Sequence, residues 1–154
     1  MVRRLGVLLI VVLGVLVPAG SVQAAEAADT TNARPACELL TPADAKKVVG
    51  AEVSELFPGR LASLCSYGTA DLSTTLSLLA YAGPRSSFKD RPDGEVTPVR
   101  LAGTRGWSMA PTPHTPSVGL VMYRDGYSLT VLAKGTSDDL ATAKKAMRSI
   151  FSKL

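Results

Sequence analysis

Val118-Gly-Leu-Val-Met-Tyr-Arg-Asp-Gly-Tyr-Ser-Leu-Thr-Val-Leu-Ala133 decides the fold. Two runs rich in β-branched, aliphatic and aromatic residues, Val118 to Arg124 and Tyr127 to Ala133, flank Asp125-Gly126. Asp-Gly suits a two-residue type I′ turn, whose positive φ angles match the twist of the strands it joins. Such a turn sets the register, pairing Arg124 with Tyr127, Met122 with Leu129 and Leu120 with Val131. Because strand side chains alternate between faces, Leu120, Met122, Leu129 and Val131 share one face and must be core. The other face carries Val121, Tyr123, Ser128, Thr130 and Leu132, a mixed set.

Working outward, Leu72 to Ala82 repeats the alternation, with Leu76, Leu78 and Ala80 on one side and Thr75, Ser77, Leu79 and Tyr81 on the other. Leu64 to Thr69 is a shorter strand. Val96 to Leu101 and Trp107 to Ala110 read as strands flanking an Ala102 to Gly106 connection. Gly83 to Glu95 is polar and rich in turn formers, a loop with room for one helical turn. Pro111, Pro113 and Pro116 exclude a central strand and make a stiff, extended loop. Near the start, Thr41 can cap a helix with Pro42 at its first position, Asp44 three residues after the cap and Gly50 to close it. At the other end, Thr136 or Ser137 caps a helix whose Asp138-Asp139 sits where the helix dipole favours acids. Leu140, Ala143, Met147, Ile150 and Leu154 form its apolar stripe. A helix at each end and strands between them predict an α+β fold: an antiparallel sheet of five to six strands with both helices on one face.

The first residues have a different character. Arg3 and Arg4 precede an unbroken apolar run from Leu5 to Val17, then Pro18, Gly20 and Val22-Gln23-Ala24. Charge, apolar core and small-residue site in that order form a secretory signal, with cleavage expected after Ala24 and Ala25-Glu26-Ala27 as second choice. The run is too short for a membrane span, which needs about 20 residues. The expected organisation is a cleaved signal over residues 1–24, a flexible tether over 25–36 and one domain over 37–154. Cleavage would lower the basic count from 17 to 15 against 13 acids, a net charge of +2, with no dense basic patch that would suit nucleic acid. Cys37 and Cys65 are the only cysteines, and in an oxidising compartment they are expected to form a disulfide stapling the first helix to the first strand. No Cys-x-x-Cys pair supports a redox role.

The pattern Cys37-Glu-Leu-Leu-Thr-Pro-Ala-Asp, Gly50, Cys65-Ser-Tyr and a closing Asp-x-Leu-Ala helix resembles small exported proteins and lipoproteins of actinobacteria catalogued as a domain of unknown function. The resemblance covers residues 36 to 154 and rests on structural residues. It implies an envelope location and carries no catalytic residues. Lipid anchoring does not transfer, because no cysteine directly follows the apolar run.

Catalytic constellations are wanting. His114, the only histidine, sits in the proline-rich loop without a nucleophile turn anywhere, and with two bridged cysteines it cannot build a zinc site. Asp90 and Asp93 read as turn chemistry, Asp138 and Asp139 as helix capping. Gly103 and Gly106 lack the lysine and third glycine of a phosphate loop. No cofactor is expected. What remains is a surface. Leu79, Tyr81, Trp107, Val121, Tyr123 and Leu132 are the candidate binding residues: exposed apolar groups often mark binding sites, unless the loops at 83–95 and 110–117 fold over them. The composite expectation is a secreted, non-catalytic binding or sensing module of the cell envelope, for a small apolar ligand or an envelope protein. The alternatives are an accessory subunit of an envelope complex and, last, a small secreted enzyme.

Overall fold

The computed structural model describes residues 34–58 and 61–154, so the expected signal peptide and most of the expected tether lie outside the described residues. In chain order come a single helical turn α1 (Ala36–Leu39), helix α2 (Pro42–Val49), and strands β1 (Ser54–Glu55), β2 (Leu64–Gly68), β3 (Thr75–Ala82), β4 (Val96–Leu101), β5 (Thr104–Met109), β6 (Val118–Arg124) and β7 (Tyr127–Lys134). Helix α3 (Asp139–Phe151) follows. The seven strands form one sheet in the order β1-β2-β3-β7-β6-β5-β4, with every neighbouring pair antiparallel. The class is α+β.

The β6–β7 hairpin has the register that Asp125-Gly126 implies: Arg124 pairs with Tyr127, Met122 with Leu129 and Leu120 with Val131. Asp125 (φ 49°) and Gly126 (φ 81°) both occupy the left-handed region, as a type I′ turn requires. Leu120, Met122, Leu129 and Val131 are buried, together with Leu76 and Leu78 of β3. The helices lie on this face, closing a core with Leu39, Leu40, Ala45, Ala143, Met147 and Ile150.

The structure departs from the sequence reading in five places. A seventh strand, β1, is only two residues long, too short to show a period. The β4–β5 connection is the pair Ala102-Gly103 and not a five-residue loop, because Leu101 already pairs with Thr104. Leu72 belongs to the turn before β3, with a φ of 56° that no strand residue adopts. The cap of α3 is Asp138, which accepts from the Ala141 N–H at 2.8 Å, while Thr136 donates to Asp139 instead. The domain also reaches back before residue 37: the Arg34 N–H donates to the Tyr127 hydroxyl at 2.9 Å, and buried Ala36 donates to the Ala62 carbonyl at 2.7 Å.

Helix α2 starts as expected, with Thr41 and Asp44 forming a reciprocal capping box and Pro42 in the first turn; Gly50 ends it at φ 78°. Asp44 does more than cap. Its carboxylate also accepts from the Ser149 hydroxyl of α3 at 2.9 Å and pairs with the Lys153 ammonium, which in turn donates to the Leu39 carbonyl of α1 at 3.0 Å. One carboxylate thereby joins all three helices. Burial alone would raise its pKa, but Lys153 and the hydrogen bonds from Thr41 and Ser149 outweigh burial and hold it well below the ordinary 3.8. Below the helices, Tyr67 of β2 is fully buried and donates to the Leu40 carbonyl at 2.8 Å. Cys37 of α1 and Cys65 of β2 are bridged, with Cα atoms 5.0 Å apart.

Candidate functional site: a roofed cleft on the second sheet face

The helices cover one face of the sheet, which leaves the chemistry of the other to the strands and to whatever crosses them. Strand β3 lies four places from β4 in the sheet, a distance of about 19 Å at the usual strand spacing. The segment 83–95 must bridge that gap, and it does so over the second face. It leaves β3 beside the hairpin tip, where the Gly83 N–H donates to the Gly126 carbonyl at 2.9 Å. It makes one 3₁₀ turn at Arg85–Ser87 and enters β4 at the opposite end of the hairpin strands.

Two aromatic side chains of the sheet hold the segment down. The Tyr123 hydroxyl donates to the Gly83 carbonyl at 2.8 Å, and the Trp107 indole N–H donates to the Asp90 carbonyl at 2.6 Å. The Phe88 ring packs 5.8 Å from the ring of Tyr123. The Arg85 guanidinium lies 5.2 Å above the Tyr123 ring, and that of Arg91 lies 5.6 Å above the Trp107 ring. Both are cation–π distances. Ion pairs Arg85–Asp90 (2.8 Å) and Lys89–Asp93 (2.6 Å) brace the segment from within.

Between segment and sheet is a solvent-open cleft of about 470 Å³, most of whose charged lining is exposed. Its floor is Pro98, Trp107, Val121 and Tyr123, and its charged wall is Arg85, Lys89, Asp90, Arg100 and Arg105. Strand register builds the floor: Pro98 pairs with Trp107 and Trp107 with Val121, so the three stand in one row across β4, β5 and β6. Gly106, between the two wall and floor residues of β5, tolerates no side chain, since an added Cβ would stand 2.3 Å from the Val121 carbonyl and 2.5 Å from Met122 Cγ.

The six candidate residues, five placed by alternation and Trp107 weighed as core or ligand platform, divide in two. Trp107, Val121 and Tyr123 converge in the cavity. Leu79 and Leu132 belong to the same face but pair with Thr130 and Ser77 on the β3–β7 half, away from the cavity lining, and Tyr81 is 49% exposed at the end of β3. Of the two loops expected to cover this face, 83–95 crosses it, while residues 110–116 are exposed and close on themselves through Thr112 and Thr115. His114 lies in that exposed loop and does not line the cavity. Asp90 and Asp93 serve ion pairs, Asp138 a cap and Gly103 a turn, each a structural duty. Cys37, Cys65 and Glu55 cluster closely enough to suggest metal ligands, but the two sulfurs are spent in the disulfide.

Sequence reasoning missed the wall residues Arg85, Lys89, Arg100 and Arg105. The signal for the last two was available: Arg100 and Arg105 stand symmetrically about Ala102-Gly103, and a two-residue turn there places them opposite each other. Set against protein-family models, curated proteins and solved structures, the chain matches none. The geometry therefore defines a class, an α+β domain with a roofed, aromatic-floored cleft, and the role of the cleft rests on its own residues.

Proposed function

We propose that the protein is an exported, non-catalytic binding or sensing module of the cell envelope, holding a small ligand between strands β4–β6 and the segment 83–95. The observation that carries this reading is the cavity itself. Its volume of about 470 Å³ falls within the roughly 300–1,000 Å³ of small-molecule sites, which are typically apolar with a few placed polar groups. Trp107 and Tyr123 satisfy their polar ends on the segment, so what they add to the cavity lining is ring carbon. The signal-like segment ending at Ala24 and the Cys37–Cys65 bridge support export. No described helix is long and apolar enough to cross a membrane. The resemblance to exported actinobacterial proteins points to the same compartment.

Two measurements test the reading. N-terminal sequencing of the protein recovered from an exporting host is expected to begin at Ala25; a chain retaining residues 1–24 overturns export. Native mass spectrometry of that material is expected to show a retained small molecule that disappears in Val121→Trp, whose larger ring fills the cleft. If neither a retained mass nor any change in Trp107 fluorescence arises with envelope extracts, the binding reading fails.

A further inference from the structure

The cavity wall carries an arrangement that a merely apolar ligand would leave unexplained. Arg100 of β4 and Arg105 of β5 are directly opposite each other in the sheet and line the same cavity. Like charges facing each other across a strand pair destabilise it. Among the described residues, neither arginine has a carboxylate within ion-pairing distance, although the neighbouring cations do: Arg85 pairs with Asp90 and Lys89 with Asp93. Both arginines are exposed, so two guanidinium groups without an ion-pair partner among the described residues stand at one solvent-open mouth. Beside them stand the rings of Trp107 and Tyr123, each with one guanidinium already over it (Arg91 and Arg85), and the apolar surface of Val121 and Pro98.

We infer, building on the binding reading above, that the cleft takes a small aromatic anion, its carboxylate or sulfonate held between Arg100 and Arg105 and its ring system laid on Trp107 and Tyr123. Charge complementarity chooses the head group. Guanidinium groups present planar forks of N–H donors that match a carboxylate or sulfonate with two hydrogen bonds each, stronger than neutral ones. An anion between the two arginines would also offset their mutual repulsion. Aromatic stacking chooses the body. Both sheet rings are immobilised by their hydrogen bonds to the Asp90 and Gly83 carbonyls, which lowers the entropy lost on binding.

The test uses two dyes that differ in one group: 8-anilinonaphthalene-1-sulfonate and its sulfonate-free counterpart N-phenyl-1-naphthylamine. Trp107 is the only tryptophan of the chain, so energy transfer from it registers a bound dye, and the arginine variants assign that dye to this cleft. The sulfonate dye is expected to bind about tenfold more tightly than the neutral one, with the advantage shrinking as salt rises. In the double variant Arg100→Gln/Arg105→Gln the advantage should vanish while neutral-dye binding is kept. Without dye that variant should melt at or above the temperature of the unmodified protein, because it loses a repulsion; a lower melting temperature would mean the arginines serve stability and would overturn the assignment. Equal binding of both dyes, or an unchanged sulfonate advantage in the double variant, overturns the anion inference and leaves the cleft reading standing. Transfer from Trp107 to neither dye sinks the cleft reading. Arg148→Gln, on the helix side of the molecule, is expected to change nothing; loss of sulfonate binding there would place the anion on the wrong face and likewise overturn the inference.

Discussion

Two carboxyls lie below their ordinary value, exposed Asp71, held by Thr69 and Ser73, and Asp44, where the three described helices are tied together; Asp44 is the one whose protonation reaches the packing. Its carboxyl is held below the ordinary 3.8 in the folded state, so the unfolded chain takes up the proton first. The stabilisation is complete above about pH 4 and is lost as pH falls toward the folded-state value. Asp44→Asn should therefore lower the urea midpoint at neutral pH and flatten the acid limb of the stability profile; an unchanged acid limb would show that the helix junction is not the acid-sensitive element. The alkaline limb belongs to Tyr67. Burial, with Glu55 and Asp44 nearby, pushes its hydroxyl up from 10.0 to about 12. Here the unfolded chain ionises first, so stability is intact below pH 10 and declines between pH 10 and 12. In Tyr67→Phe that decline should disappear from the profile. Arg100 and Arg105 are the third residue-scale feature, a like-charge pair across β4 and β5 whose proposed role is in binding.

At the scale of elements, the two hairpins of the β4–β7 half make an instructive contrast. Asp125-Gly126 and Ala102-Gly103 have the same backbone, with φ of 49° and 81° in one and 46° and 79° in the other. Aspartate tolerates the left-handed region and alanine does not. Ala102→Asn should accordingly stabilise the protein by about 0.5–1 kcal/mol, read as a raised urea midpoint with unchanged slope; no gain would mean that the turn relaxes at no cost. The same chemistry explains what could be read in advance. Asp-Gly announces its turn, so the β6–β7 register and its buried face were legible down to the pairing of individual residues. Ala-Gly is a far weaker turn signal, since only its glycine favours positive φ, so the β4–β5 register was missed and with it the opposition of Arg100 and Arg105. Two-residue β1 and four-residue α1 are too short for any period to show. The site was half legible for a related reason. Alternation puts Val121 and Tyr123 on the side of their hairpin opposite its core, as it does Leu79, Tyr81 and Leu132, but only the strand order tells which of them lie beneath the 83–95 segment and brings Trp107 beside Val121, and that order depends on non-local pairing.

At the scale of the whole molecule, the disulfide and the cleft occupy opposite ends of the sheet order. The bridge joins α1 to β2, whereas the cleft is built on β4 to β6. The loop it closes spans a sequence separation of 28, for which the chain-entropy model gives about 3–4 kcal/mol. Cys37→Ser/Cys65→Ser should lose about that much stability and yet keep dye binding in the folded fraction, so a disulfide-free variant that folds but fails to bind would refute the separation. The sheet order has a further consequence. Strand β7, one of the last elements in the chain, is the one that joins β1-β2-β3 to β4-β5-β6. A chain ending at Gly126 would hold two ribbons with no shared edge, and it should show no cooperative melting transition where the full chain shows one. A sharp transition in that truncated chain would refute the idea. On the export reading proposed above, the late position of this keystone strand would keep the moving chain threadable: the sheet cannot close until nearly all of the sequence has been delivered.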